Sequence, residues 1–112
     1  MVDLTMIIAI PDGVTEIKSY AFCGCSSLST LSIPNGVTSF KRAAFYGTSL
    51  TYVELPGNIS FIDWDAFSEC HNLSLVNYND RIYTSKTALT TILTVTGVSV
   101  DAYAFNNTGL QS

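Results

Sequence analysis

Charged side chains are scarce in this chain of 112 residues. Nine acidic and five basic residues make up 12% of it and give a net charge of −4. The few basic residues form no patch that could follow the phosphates of a nucleic acid, so no nucleic-acid partner is expected. Hydrophobic residues reach 47%. That content excludes ordinary disorder, and the length fits a single domain.

Long apolar runs are also missing. The longest uninterrupted one, Met6 to Ile10, has five residues, whereas a membrane-spanning helix needs about 20. Membrane insertion is therefore not expected. The first residues, Met1 to Met6, contain no basic segment of the kind that opens a secretory signal peptide, so no signal peptide is visible in this chain.

What the chain does contain is a repeat. Three similar segments begin at Ile10, Ile33 and Leu55, so the spacing between them is almost constant. Each has a short alternating strand, a proline, a turn-forming pair, two apolar residues three apart, and a final Ala-Phe pair. A short period of this kind is typical of a solenoid, in which stacked units share one core. We therefore predict a repeat solenoid, mainly β, with short helical or irregular turns between the strands.

The repeat predicts which side chains form the core. One column contains the phenylalanines that end each unit, and another contains the leucines and valines of the strands. Because a single unit cannot bury its own apolar face, both columns are expected to stabilise the stack. The phenylalanine column is Phe22, Phe45, Phe67 and Phe105.

The units are uneven in length. They span about 10–32, 33–54 and 55–77, with a partial unit at 97–112, so the array has about four units. An insertion falls between the third and the last, at 79–96, because Phe105 follows Phe67 at much more than the usual repeat spacing. Arg81–Ser85 and Leu89–Val95 inside it are β-prone, and Lys86-Thr87 between them suggests a hairpin.

The phrase running from Ile10 to Pro34 resembles the BspA-like, or treponemal-type, leucine-rich repeat. It reads I-P-x-G-V-x-x-I-x-x-x-A-F-x-x-C-x-x-L-x-x-L-x-I-P, and the resemblance covers about residues 5–110. It implies a right-handed leucine-rich repeat array with a sheet on its concave side. It also implies a secreted or cell-surface interaction protein, often an adhesin.

Catalytic and metal-binding residues are few. Cys23, Cys25, Cys70 and His71 together have the ligand count of a structural zinc site. Cys25 and Cys70, however, hold the same repeat position two units apart, roughly 10 Å at about 4.8 Å per strand. That separation is too long for shared zinc ligation or for a disulfide. We therefore expect free thiols, with Cys23 facing outward, no metal and no cofactor.

Two other groups are weak candidates for catalysis. His71 should point away from its inward-facing neighbour Cys70, so the two make a poor nucleophile–base pair. Asp63 and Asp65 lie on a turn without a glycine-rich metal loop, and solvated charges beside Trp64 are the expected state. No catalytic residue and no enzymatic activity are expected.

The strand pattern predicts an exposed face. Residues between the buried strand positions should form two solvent-facing columns, and the first is unusually apolar for an open surface. Contiguous exposed apolar area usually marks an interaction site. The candidate binding residues on this concave face are Ile7, Thr30, Tyr52, Glu54, Leu75 and Asn77.

The expected partner is a host or matrix protein, or a second copy of the chain. A different function remains open: a structural module that self-assembles through its open solenoid ends or through the concave face, giving homo-oligomers.

Overall fold

The computed structural model describes residues 6–112, with side chains in the first strand described only from Ala9 onward. It contains nine short strands and one helix in the described part of the chain. The elements are β1 (Met6–Ala9), β2 (Glu16–Ile17), β3 (Leu28–Ser32), β4 (Ser39–Phe40), β5 (Tyr52–Glu54), β6 (Phe61–Ile62), β7 (Leu75–Tyr78), β8 (Arg81–Tyr83), α1 (Lys86–Val95) and β9 (Ser99–Val100).

The strands form two layers. The long-strand layer contains β1, β3, β5, β7 and β8, and the short-strand sheet contains β2, β4, β6 and β9 in that order. All pairings are parallel except that of β7 with β8. In three successive rungs a strand of the first layer leads through a proline-containing turn into a strand of the second, at Pro11, Pro34 and Pro56, whereas β7 is connected to β9 through the insertion. The predicted mainly β repeat fold is confirmed.

Phenylalanine rings stack through the space between the layers. The Phe22, Phe45, Phe67 and Phe105 centroids follow one another at 5.5, 5.0 and 5.3 Å with nearly parallel planes. Phe40 from β4 meets two of these rings edge-on. The predicted phenylalanine column is therefore the core, and the two inner rings, Phe45 and Phe67, are fully buried.

The insertion differs from the expectation. Its hairpin is formed by β7 and β8, which are joined by Asn79 and Asp80, both at positive φ. Positive φ at both positions matches the twist of a two-residue hairpin turn. The predicted second strand, Leu89–Val95, is wrong, because this segment lies within α1.

Local chemistry explains the helix. The Ser85 hydroxyl accepts a hydrogen bond from the Ala88 amide at 3.2 Å and so caps the first turn. Leu89 and Leu93 lie four residues apart, which places both on one face of a helix, and both are fully buried. These two signals prevail over the β-propensity of the threonines and valine in this segment.

Candidate interaction site on the long-strand face

The two predicted columns lie on the outer face of the long-strand layer. Tyr52 pairs with Leu75, and Glu54 pairs with Asn77. Tyr52 and Leu75 are 39% and 38% exposed, while Val53 and Val76 between the columns are buried. The predicted facing of these two strands is confirmed.

β1 and β3 form the equivalent pair at the other side of the layer. Ile7 pairs with Thr30, and Ala9 pairs with Ser32. Thr30, Ala9 and Ser32 are exposed. The side chain of Ile7 lies outside the described part of the structure. The structure therefore brings Thr30, Tyr52, Glu54, Leu75 and Asn77 to one face.

Sequence reasoning missed Ile82. This residue lies on β8 directly opposite Asn77, and its side chain is 53% exposed. Directly opposed residues of an antiparallel pair project from the same face, so Ile82 adds an exposed apolar side chain to the face that carries Asn77 and Leu75. The signal was present in the β-prone segment that begins at Arg81, but the sequence pattern paired that segment with Leu89–Val95 instead of with β7.

The long-strand layer is divided between β3 and β5. These strands belong to separate sheets, although Ser49 N still donates to Leu28 O at 2.9 Å at the start of the strands. A cavity of about 360 Å³ lies at this division, next to Tyr52. Its lining residues are Ser29, Thr30, Leu31, Ser32, Ile33, Thr51, Tyr52 and Glu54.

The repeat spacing changes where the layer divides. Leu50 follows Phe45 by five residues, whereas Leu28 follows Phe22 and Leu73 follows Phe67 by six. The turn leading into β5 is thus one residue shorter than its two counterparts. The sequence signal for this irregularity is the second repeat, which is slightly shorter than the first because the third already begins at Leu55.

The three thiols differ in their surroundings. Cys23 is exposed as predicted, Cys25 is only partly buried, and Cys70 is buried. The Cys70 thiol donates to Phe45 O at 3.0 Å and lies 3.2 Å from the Thr48 hydroxyl. Burial raises the pKa of Cys70, so this thiol stays protonated and has a packing role. Within residues 6–112, no three His, Cys, Asp or Glu side chains are grouped as metal ligands would be.

Glu69, near His71, has two local hydrogen-bond partners. Glu69 accepts from Asn107 Nδ2 at 2.7 Å and contacts His71 Nε2 at 3.0 Å. These two bonds, that of Asn107 first, lower the pKa of Glu69. His71 itself is exposed, as predicted.

Asp63 and Asp65 are partly buried rather than simply solvated. The carboxylate of Asp63 accepts from the Trp64 amide at 2.7 Å, and that of Asp65 accepts from the Ser68 hydroxyl at 2.7 Å. Both carboxylates therefore stabilise the turn that contains Phe67.

Exposed aromatic rings also occur on the turns that follow the short-strand sheet. Tyr20, Trp64 and Tyr103 are each at least 43% exposed. The Arg42 guanidinium lies 4.3 Å from the centre of the Trp64 ring. This cation–π contact covers part of the indole, and 43% of the Trp64 side chain remains exposed beside it.

The stacked rungs and the open strand face define a leucine-rich repeat protein. The family model for the BspA type leucine rich repeat region matches six copies over residues 3–110. The chain belongs to this family. Leucine-rich repeats of this kind are protein-interaction modules, and none of the comparisons points to an enzyme.

Two solved structures resemble the chain. A leucine-rich cell surface protein from Faecalibacterium prausnitzii A2-165 shares 33% identity at a TM-score of 0.62, over 71% of this chain and 23% of the other. A leucine-rich repeat protein from Bacteroides ovatus ATCC 8483 shares 26% identity at a TM-score of 0.44, over 62% and 24%. The matched region thus spans only about a quarter of each of these chains.

Comparison with curated proteins found no match. Of the residues described, none lies in a helix that is both long and apolar enough to cross a membrane.

Proposed function

We propose that this chain is a non-enzymatic, adhesin-like module that binds a host or matrix protein through the exposed face of the long-strand layer. In this proposal the repeats form a right-handed array of about four units, and the long-strand layer is its concave side. The protein acts at the cell surface or after secretion, as the Faecalibacterium protein's description as a cell surface protein suggests.

The observation that carries the proposal is the apolar surface around Tyr52 and Leu75. These side chains are neighbours on adjacent strands, and Ile82 extends the surface to β8. The core beneath this surface is closely packed: Phe40, Phe45, Phe67, Leu50 and Leu73 have no exposed surface. Apolar side chains left outside such a core are the usual anchors of a protein interface, and tyrosine is favoured among them.

The negative charge of this chain limits which partner surfaces are favoured. The carboxylate of Glu54 is exposed beside Tyr52, and the whole chain carries a net charge of −4. A basic or neutral partner surface is therefore favoured over an acidic one.

Binding to a panel of purified extracellular-matrix proteins tests this function. Surface plasmon resonance identifies a partner, and hydrogen exchange of the complex then locates the contact. Protection of the β5 and β7 amides supports the proposal. The absence of any binding partner in the panel, or protection confined to α1 and the turns of the short-strand sheet, contradicts it.

Self-assembly is the second candidate, and one observation favours it. At the end of the stack formed by β1 and β2, Ile10, Val14 and Phe22 are only partly buried, and they line an apolar cavity of about 450 Å³. At the other end Phe105 is only 2% exposed. Light scattering across a concentration series separates the two functions: growth of the mass with concentration supports self-assembly, and a constant monomer mass contradicts it.

A further inference from the structure

The turns that follow the short strands are stacked in register. Lys18 begins the first of them, directly after β2. Lys41 begins the next and donates its amide to Ile17 O at 2.8 Å, and Asp63 and Asp101 make the corresponding bonds to the preceding rung at 2.9 and 3.0 Å. The three-residue segments that begin at these positions form one surface, the turn face: residues 18–20, 41–43, 63–65 and 101–103.

Charge divides the turn face into two halves. The first two turns carry basic side chains and the last two carry acidic ones: Lys18, Lys41, Arg42, Asp63, Asp65 and Asp101. Like charges lie on adjacent rungs, Lys18 beside Lys41 and Asp63 beside Asp101, which is unfavourable within a single copy. Within residues 6–112, the one ion pair on this surface joins Lys41 to Glu16 at 4.0 Å, and both side chains are more than a third exposed.

We propose that the turn face binds the same face of a second copy in reversed orientation, giving a dimer with two-fold symmetry. A two-fold axis that lies in the interface, between the second and third turns, reverses the order of the turns and keeps each residue in its own column. Lys18 then faces the partner's Asp101, and Lys41 faces the partner's Asp63. Because such an interface is isologous, each pair occurs twice. The inference goes beyond the proposed function, since it assigns a second surface, separate from the long-strand face.

The exposed aromatic side chains fit the same reversal. Tyr20 and Tyr103 hold equivalent positions in the first and last turns and are 54% and 56% exposed. Each therefore faces the other ring across the interface, where aromatic pairs are favourable. Arg42 and Trp64, 4.3 Å apart in one copy, lie on the two inner turns. The axis brings both copies of this pair together, so each guanidinium also faces the partner's indole.

Distance within one copy prevents the outer charges from pairing with each other. Three rung spacings of about 4.8 Å place the backbones of Lys18 and Asp101 about 14 Å apart. The turn face is smaller than the roughly 20–30 residues that each partner contributes to a standard interface, so the dimer should be weak. It should also be sensitive to salt, because the paired charges are exposed in the single copy. Two-fold symmetry uses both faces, so assembly stops at two copies.

Sedimentation equilibrium of the wild-type chain tests the dimer first. In about 20 mM salt, the mass should rise from one copy toward two as the protein concentration approaches about 1 mM. In about 500 mM salt, the dissociation constant should be about tenfold larger. A monomer at every concentration, or a dimer indifferent to salt, overturns the proposal. A mass that continues past two copies also overturns it and supports stacking through the ends instead.

A charge swap then tests which residues meet. Lys18→Asp and Asp101→Lys each introduce a residue type that other turns carry in the same column, and thermal melts verify that both variants fold. Each alone should weaken the dimer about tenfold, because two attractions become two repulsions, and the two together should restore it to within about threefold. Arg81→Glu, an equal charge change on β8, is the control and should leave the dimer unchanged. Failure of the double variant to restore dimerisation, or an equal loss in the control, overturns the proposal.

A second variant leaves the backbone of the turns intact. Asp101 also accepts from the Tyr103 amide at 2.9 Å, and Tyr20→Ala does not touch this bond. Tyr20→Ala should weaken the dimer about tenfold, whereas Val95→Ala, at an exposed apolar position on α1, should not. Equal dimerisation of these two variants contradicts the inference. Since no matrix protein enters these measurements, the inference and the proposed function can fail independently.

Discussion

The rings of Phe67 and Phe105 stack at 5.3 Å with planes within 1° of parallel, although the whole insertion separates them in the chain. The amide of Phe67 also donates to Ala104 O at 2.7 Å. The insertion, containing β8 and α1, therefore leaves the core column continuous.

The first prediction concerns that column. Phe45 is fully buried, with Phe22 and Phe67 stacked on either side and Phe40 edge-on. Phe45→Ala should lower the free energy of unfolding by about 3–5 kcal/mol, the usual effect of truncating a buried aromatic ring. Phe22→Ala is the matched control. Because this ring is only partly buried, its truncation should lower the free energy of unfolding by less. Urea denaturation checks both, and an equal loss in the two variants would contradict the packing described.

The helix in the insertion can be tested through its cap. Ser85→Ala removes the hydroxyl that accepts from the Ala88 amide and donates to Ser112 O at 3.0 Å. Loss of such a cap costs about 0.5–2 kcal/mol. Thr91→Ala, at an exposed position inside α1, should leave stability unchanged or raise it slightly, because alanine has the higher helix propensity. A destabilising Thr91→Ala with a neutral Ser85→Ala would favour the hairpin that the sequence pattern predicts.

The thiols should react in the order of their exposure. Cys23 is expected to react first with a thiol reagent, Cys25 more slowly, and Cys70 only on unfolding, because burial raises the pKa of Cys70 and also blocks access. Mass spectrometry of labelled peptides over time gives the order, and denatured protein without reductant should show three reactive groups. Early labelling of Cys70 would mean that its contact with Phe45 O is not kept in solution.

Acidification should break the contact between Glu69 and Asn107. The pKa of Glu69 is below its ordinary value of 4.5, so this carboxylate contributes stability above that pH and loses it as the pH falls through the lower folded-state pKa. NMR titration of the side-chain carboxyl should place its midpoint below 4.5 in the wild type and closer to 4.5 in Asn107→Ala. The same midpoint in both proteins would remove this hydrogen bond as the cause.

Sequence reasoning predicted most of the fold and most of the residues on the exposed face, and there is a physical reason for this. Columns of equivalent residues, such as Tyr52 beside Leu75, follow directly from the repeat register. The helix did not follow, because Leu89–Val95 has high β-propensity and its helical state depends on the cap at Ser85 and on burial of Leu89 and Leu93. Ile82 joined the surface only once β8 paired with β7.

The division between β3 and β5 was the least predictable feature. The sequence shows that Leu50 follows Phe45 one residue sooner than the equivalent leucines follow Phe22 and Phe67. A one-residue difference can be absorbed by a turn or by the strands. Only the pairing of each strand with its neighbours shows whether the turn or the strands take up this one-residue difference.

The central claim is that the face around Tyr52 and Leu75 is the interaction surface. Its most direct test compares Tyr52→Ser/Leu75→Ser with the control Tyr20→Ser/Val95→Ser, which removes a 54% exposed tyrosine and a 73% exposed valine away from that face. The measurement is the dissociation constant for the tightest-binding matrix protein of the panel, with thermal melts of each variant. The first double variant should keep its melting temperature and bind about 30-fold more weakly, equivalent to about 2 kcal/mol, while the control binds normally. Normal binding by the first double variant, or an equal loss in the control, would contradict the account.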